Sequence, residues 1–171
     1  MKFLRLIPIV FIFFGNLTYK NLTHAEVKNP KNYKVLSNDG KTLSISNVEY
    51  YIKKGDEFIK NGDLDKAKDF YLDARTLAKQ LASFYSDLNT AYKGVDARIP
   101  NEMRRKGKET LKILAESNER LASLYIKDGT PEVAVPLLIE IIRIMSPDSS
   151  EGKEAYESLI KLGFVETKYK G

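Results

Sequence analysis

The chain of 171 residues is 43% hydrophobic and 30% charged, the balance of a soluble fold long enough for one domain with a real core. It has no Cys and a single His, His24. Thiol redox chemistry is therefore excluded, and so are ordinary zinc sites, Cys-His catalysis and Ser-His-Asp catalysis once His24 is removed with the segment it belongs to. The formal net charge of +5 gathers at one end: residues 1–25 carry Lys2, Arg5 and Lys20 and no acid, and the remainder holds 25 basic against 23 acidic residues, or +2.

Residues 1–25 have the layout of a secretory signal. Lys2 and Arg5 form a charged start, and residues 6–14 (LIPIVFIFF) an apolar run that Pro8 and Gly15 keep short of a membrane span. Thr23 and Ala25 put small residues at the positions that signal peptidase reads, which predicts cleavage after Ala25 and export. No Cys follows the run, so lipoprotein attachment is excluded. Residues 26–46 are polar and Lys/Asn-rich. Asn38-Asp39-Gly40 is a turn signal there, compatible with a small hairpin or with a flexible arm, and the arm is the expectation.

From residue 47 to residue 166 the apolar period is helical. Ser46-Asn47-Val48-Glu49 reads as a capping box opening the first helix, in which Tyr51, Gly55, Phe58 and Ile59 share a face. Gly62 ends it and Asp63 is placed to cap the second. The second series runs from Ala67, Phe70, Tyr71, Ala74, Leu77 and Ala78 through Leu81, Phe84, Tyr85, Leu88 and Tyr92 to Gly94. That predicts a helix of about 30 residues, roughly 45 Å long. After a loop at 94–100, Asn101 is expected to cap a third helix reaching about Lys127. Its seam of Met103, Gly107, Leu111, Leu114, Asn118, Leu121 and Tyr125 suits packing along the preceding long helix.

Gly129-Thr130-Pro131 is a stop followed by a start, with Thr130 as the expected cap. Residues 133–145 are apolar nearly all round, which predicts a central helix buried on several sides and bent or loosened at Pro136. Ser149 or Ser150 opens a last helix with Ala155, Leu159, Ile160 and Leu162. Gly163 closes it, Phe164 and Val165 are expected to fold back, and residues 167–171 form a polar tail. The expected fold is all-α, with five helices, two of them long, in stacked antiparallel hairpins and no second domain.

Two stretches carry a family resemblance. The first reads Tyr51-x2-Lys54-Gly55-x2-Phe58, then Ala67-x3-Tyr71 with Ala74 following; the second reads Asn118-x2-Leu121-Ala122-x2-Tyr125, then Ala134-x3-Leu138. Both resemble a tetratricopeptide repeat, although Lys54 replaces its Leu and Lys79 stands where its terminal Pro would fall. Gly62 to Gly129, Ala67 to Ala134 and Tyr71 to Leu138 are each 67 residues apart, close to two periods of about 34. In that family the first helix of each hairpin lines a concave binding surface. The resemblance implies a partner-binding lining of Glu49, Ile52, Asp56, Ile59 and Lys60 in one hairpin, and of Glu116, Glu119, Ser123, Ile126 and Lys127 in the other. This lining is acidic and apolar, without the Lys/Asn pattern that clamps a terminal carboxylate. The Lys/Asn/Ile-rich style of a small exported helical chain is similar to proteins of small-genome marine cyanobacteria. That likeness implies the periplasm or thylakoid lumen, and assistance to membrane-complex assembly, photosystems included.

A second candidate is a basic cluster: Arg98, Arg104, Arg105, Lys106, Lys108 and Lys112. Placed in the first turns of a helix, these cations oppose the macrodipole, and Arg98, Arg104, Arg105 and Lys108 become a candidate anion-binding set. For an exported chain, anionic headgroups or an acidic protein suit it better than nucleic acid. The sequence contains neither GxGxxG nor GxxxxGK[ST], so no phosphate loop is expected. The carboxylates are scattered over polar helix faces. The expectation is a non-enzymatic protein-interaction scaffold or assembly factor without cofactor or metal, its partner an unidentified protein or membrane complex. A peripheral membrane-surface protein held through residues 98–112 is the alternative.

Overall fold

The computed structural model describes residues 43–170. The signal segment, its cleavage site and the Asn38-Asp39-Gly40 turn lie outside the described residues. Within them are five helices and no strand: α1 (Ile45–Lys60), α2 (Leu64–Ala91), α3 (Arg98–Lys127), α4 (Pro131–Met145) and α5 (Ser150–Lys161). No helix among the described residues is long and apolar enough to cross a membrane. Each helix packs against the next in the chain, so the fold is a series of stacked antiparallel hairpins, as expected, and the two long helices α2 and α3 form the middle one.

Local chemistry sets the ends. Asp63 caps α2 by accepting from the Lys66 N–H at 3.1 Å, and Ser149 caps α5 by accepting from the Gly152 N–H at 2.9 Å. α1 and α3 end in the same way. The amide two residues past the helical cap reaches back to a carbonyl five residues earlier (Asp63 to Phe58 at 3.0 Å, Thr130 to Tyr125 at 2.9 Å), and Gly62 and Gly129 adopt φ of 78° to allow it. A residue with a Cβ is strained at that angle.

Several local expectations are corrected. α1 opens at Ile45, because Ser44 rather than Ser46 supplies the cap, its hydroxyl accepting from the Asn47 N–H at 3.3 Å. The earlier start brings Ile45 onto the core beside Val48 and Ile52. α3 opens at Arg98 instead of after Asn101. Pro100 is accepted inside the first turn, where no N–H is needed, and the Asp96 carboxylate takes the Arg98 N–H at 2.8 Å. The Thr130 hydroxyl does not cap α4 but donates back to the Tyr125 carbonyl at 3.2 Å.

α4 is not the central helix. α3 is, contacting α1, α2 and α4. α4 buries Ala134, Leu137, Leu138 and Ile141, leaving Val133, Pro136 and Ile139 exposed. Val165 packs on the core where Phe164 stays 50% exposed. The polar tail is also tied down: the Tyr156 hydroxyl donates to the Thr167 carbonyl at 2.7 Å, and the Tyr169 hydroxyl bonds to Asp148.

The core has two parts. One surrounds Tyr71, Leu121, Leu138 and Leu159; the other surrounds Val48, Ile52, Leu81 and Leu114, and Ile144 packs against both. Small residues let α1 and α2 approach closely: Ala67 and Ala74 are fully buried, and Gly55 faces the Tyr71 ring. Gly107 is different. A Cβ there would find only the Tyr85 Cβ at 3.8 Å, an ordinary contact. Gly107→Ala should therefore raise stability by about 0.5–1 kcal/mol through helix propensity alone. Urea melts measure this; a loss of stability would show that α3 needs the missing side chain.

Candidate partner-binding groove

Residues of α3, α4 and α5 together line a groove of about 450 Å³. Its floor is apolar: Ala115 and Ala122 from α3, Leu138 and Ile141 from α4, Ala155 from α5. Its walls are charged. Glu116 and Glu119 stand on α3 and Glu151, Glu154 and Glu157 on α5, against Lys112, Arg120 and Lys161. Five carboxylates face three cations. Among the described residues, Glu116 is the only one of the five in an ion pair, with Arg120 at 3.4 Å.

Of the lining implied by the family resemblance, Glu116, Glu119, Ser123 and Ile126 all border this groove, and Lys127 is exposed just beyond it. The α1 set does not join them. Ile52 is 4% exposed and belongs to the core, which corrects its assignment to a binding surface. Ile59 is half-buried against the other part of the core, around Tyr71 and Leu121, and Glu49 and Lys60 are exposed on α1 away from the groove. Asp56 is occupied: it accepts from the Tyr71 hydroxyl at 2.6 Å and from Arg120 Nε at 3.0 Å. Burial, then the bond to Asp56, pushes the Tyr71 hydroxyl well above the ordinary tyrosine range. Asp56 thus positions Arg120 at the groove wall.

The opposite wall, carrying Glu151, Glu154 and Glu157, was not foreseen. Their three-residue spacing is visible in the chain, but nothing local says that α5 faces α3.

A second polar network holds the groove's frame. Arg75 on α2 donates from Nε to the fully buried Asn118 on α3 at 2.7 Å and from Nη2 to Glu140 on α4 at 2.7 Å. Asn118 also donates to Glu140 at 3.1 Å, and Lys79 pairs with it at 2.8 Å. Three helices are registered by one carboxylate. Burial raises the pKa of Glu140, and the hydrogen bonds from Lys79 and Arg75 outweigh it, leaving the carboxyl below its ordinary 4.5. The charged form therefore stabilises the fold above about pH 4.5, and that contribution is lost as pH falls through the lower folded value. Glu140→Gln should cost about 1–2 kcal/mol at neutral pH and flatten the acid limb of the stability profile. Urea melts in steps from neutral to acid pH read both; an unchanged acid limb would assign the acid loss to other carboxylates.

The basic cluster is rearranged by the earlier start of α3. Only Arg98 lies in the first turn, so the macrodipole penalty expected for Arg104, Arg105 and Lys108 does not apply, since it fades within that turn. Arg98 is held by Asp96 at 2.7 Å, Lys106 by Glu102 at 2.9 Å, Arg105 loosely by Glu109 at 3.9 Å, and Arg104 bonds to Asn101. Arg98, Arg104, Arg105 and Lys108 remain exposed on the outer part of α3.

No family model, curated protein or solved structure matches this chain.

Proposed function

We propose that this protein is a non-enzymatic interaction scaffold or assembly factor, exported to the periplasm or thylakoid lumen, that binds a partner protein in the groove between α3 and α5. The observation that supports it is the groove itself, a concave apolar floor bordered by charged walls, the usual composition of a recognition surface. The tetratricopeptide resemblance supports the same reading. Gly163, which ends α5, adopts the same φ of 78° as Gly129 and follows it by 34 residues, one period of that repeat. α5 then corresponds to the first helix of a further hairpin, so α3 and α5 are the pair that would line a concave face.

Ser123→Trp tests the groove, because Ser123 is exposed on its wall and the substitution fills space without changing charge. Tagged protein is used to capture partners from the extracytoplasmic fraction of the host. A partner retained by wild type and by Asp69→Asn, an exposed control on α2, but lost from Ser123→Trp, is the expected result. The same captured set from all three proteins would overturn the assignment.

A further inference from the structure

The cations of the groove are placed differently from its carboxylates. Arg120 is already occupied, by Asp56 at 3.0 Å and by Glu116 at 3.4 Å. Lys112 is the first lining residue on α3 and Lys161 the last on α5. Both helices pack antiparallel to α4 and so run the same way, which puts the two lysines at opposite ends. Between those ends, Glu119 on one wall and Glu154 and Glu157 on the other border the apolar floor, with no salt bridge to any of them among the described residues. The excess of negative charge extends past the groove itself. Residues 113–171, which supply all of its lining except Lys112, carry ten acidic against seven basic residues; residues 43–112 carry eleven against fourteen.

We propose that the groove takes a basic amphipathic helix of a partner protein, its apolar stripe on the floor and its Lys or Arg side chains between the glutamate walls. This rests on the groove being a partner-binding surface and names the chemistry of the partner. Charge decides the sign. An acidic segment would set further carboxylates against Glu119, Glu154 and Glu157, and like charges brought together in an interface are costly. Backbone chemistry decides the conformation. The floor is apolar, the lining contains no Asn or Gln, and the main-chain groups of α3, α4 and α5 are taken up by their own helical bonds. An extended segment would lay unmatched N–H and C=O groups over that floor, whereas a helix satisfies its own. The lining runs from Lys112 to Ile126 on α3 and from Glu151 to Lys161 on α5, roughly 20 Å and 15 Å at 1.5 Å per residue. That length matches about three turns, with apolar anchors at i, i+3, i+4 and i+7. Ala115, Ala122 and Ala155 keep the floor low enough for those anchors to be large side chains.

The test is fluorescence anisotropy on the purified protein with three labelled peptides of about fourteen residues. One is built of Leu and Lys with Leu at the helical anchor spacing, the second has Glu in place of Lys, and the third is a scramble of the first without an apolar face. The Leu/Lys helix should bind at least about tenfold more tightly than either other peptide, and its Kd should rise by about tenfold or more on going to half-molar salt as exposed charges are screened. Glu119→Gln with Glu154→Gln, both at exposed sites, should weaken it about tenfold, and so should Ser123→Trp, while Asp69→Asn on α2 should leave it unchanged. Circular dichroism and melts check that each variant keeps the fold.

Equal binding of the Leu/Lys peptide and its scramble overturns the proposal, because it reports surface charge without a groove. Tighter binding of the Leu/Glu peptide overturns it by assigning the walls to an acidic partner, and so does Leu/Lys binding that is indifferent to the loss of Glu119 and Glu154. A host partner that is lost from Ser123→Trp, together with no binding of the Leu/Lys peptide, rejects the basic helix and leaves the scaffold reading in place. When neither the host partner nor the peptide responds to Ser123→Trp, both readings fall together.

Discussion

Ala67→Trp and Ala134→Trp should each lower stability by more than about 2 kcal/mol in urea melts. Both residues are fully buried in the same part of the core, one on α2 and one on α4, 67 residues apart. Each sits where its helix crosses a neighbour. Ala67 packs in the cluster with Tyr71 and Leu121, and Ala134 with Leu121, Leu137 and Leu138. An indole ring cannot enter without moving a helix, and overpacking of this kind costs about 1–3 kcal/mol and sometimes more. Two independent crossings should show similar penalties. Changes within about 0.5 kcal/mol at both sites would place them at the surface and contradict the packing of both hairpins.

Gly55→Ala should cost about 2–3 kcal/mol, although Ala is the better helix former. A Cβ at Gly55 would come within 2.9 Å of the Tyr71 Cζ and closer still to Cε1 and Cδ1. The ring has nowhere to retreat: Tyr71 is 2% exposed, and its hydroxyl donates to Asp56 at 2.6 Å. Asp56 in turn holds Arg120, so the strain should pass from α1 to α3. In a Tyr71→Leu background the penalty should fall below about 1 kcal/mol, and the double-mutant cycle measures the coupling. An additive cycle would mean that the cost arises elsewhere than the ring. The contrast with Gly107→Ala separates a glycine needed for close approach from one that is not.

The helices themselves were legible because their signals are local. The helical period of the apolar residues, the αL glycines at Gly62 and Gly129, and the Asp63 and Ser149 caps each involve residues a few positions apart. The misplaced starts had competing local signals. Ser44 and Ser46 both offer a hydroxyl, and the burial of Ile45 favours the first. Pro100 disfavours helix at the residue before it, but Ile99 packs on the core and draws the first turn forward past that cost.

For the groove, one wall could be read and the other could not. Glu116, Glu119, Ser123 and Ile126 follow from the repeat pattern along α3. Glu151, Glu154 and Glu157 enter only because α5 lies across α4 from α3. The network of Arg75, Asn118 and Glu140 joins residues 43 and 65 positions apart, so no short-range pattern announces it.

Composition and short-range spacing were thus sufficient for an all-α chain of five helices with two long partners. They were not sufficient for which helix is central. α4 is the most apolar helix, yet the interior is organised by α3, whose buried side includes Thr110, Ser117 and Asn118. Apolarity reports what a segment can lose to water, and an exposed Val133 or Ile139 is tolerated at modest cost. Which surface is covered depends on how many neighbours the chain brings to it. The long α2–α3 hairpin gives α3 helices on three sides, with α1, α2 and α4 against it, and leaves α4 open on one.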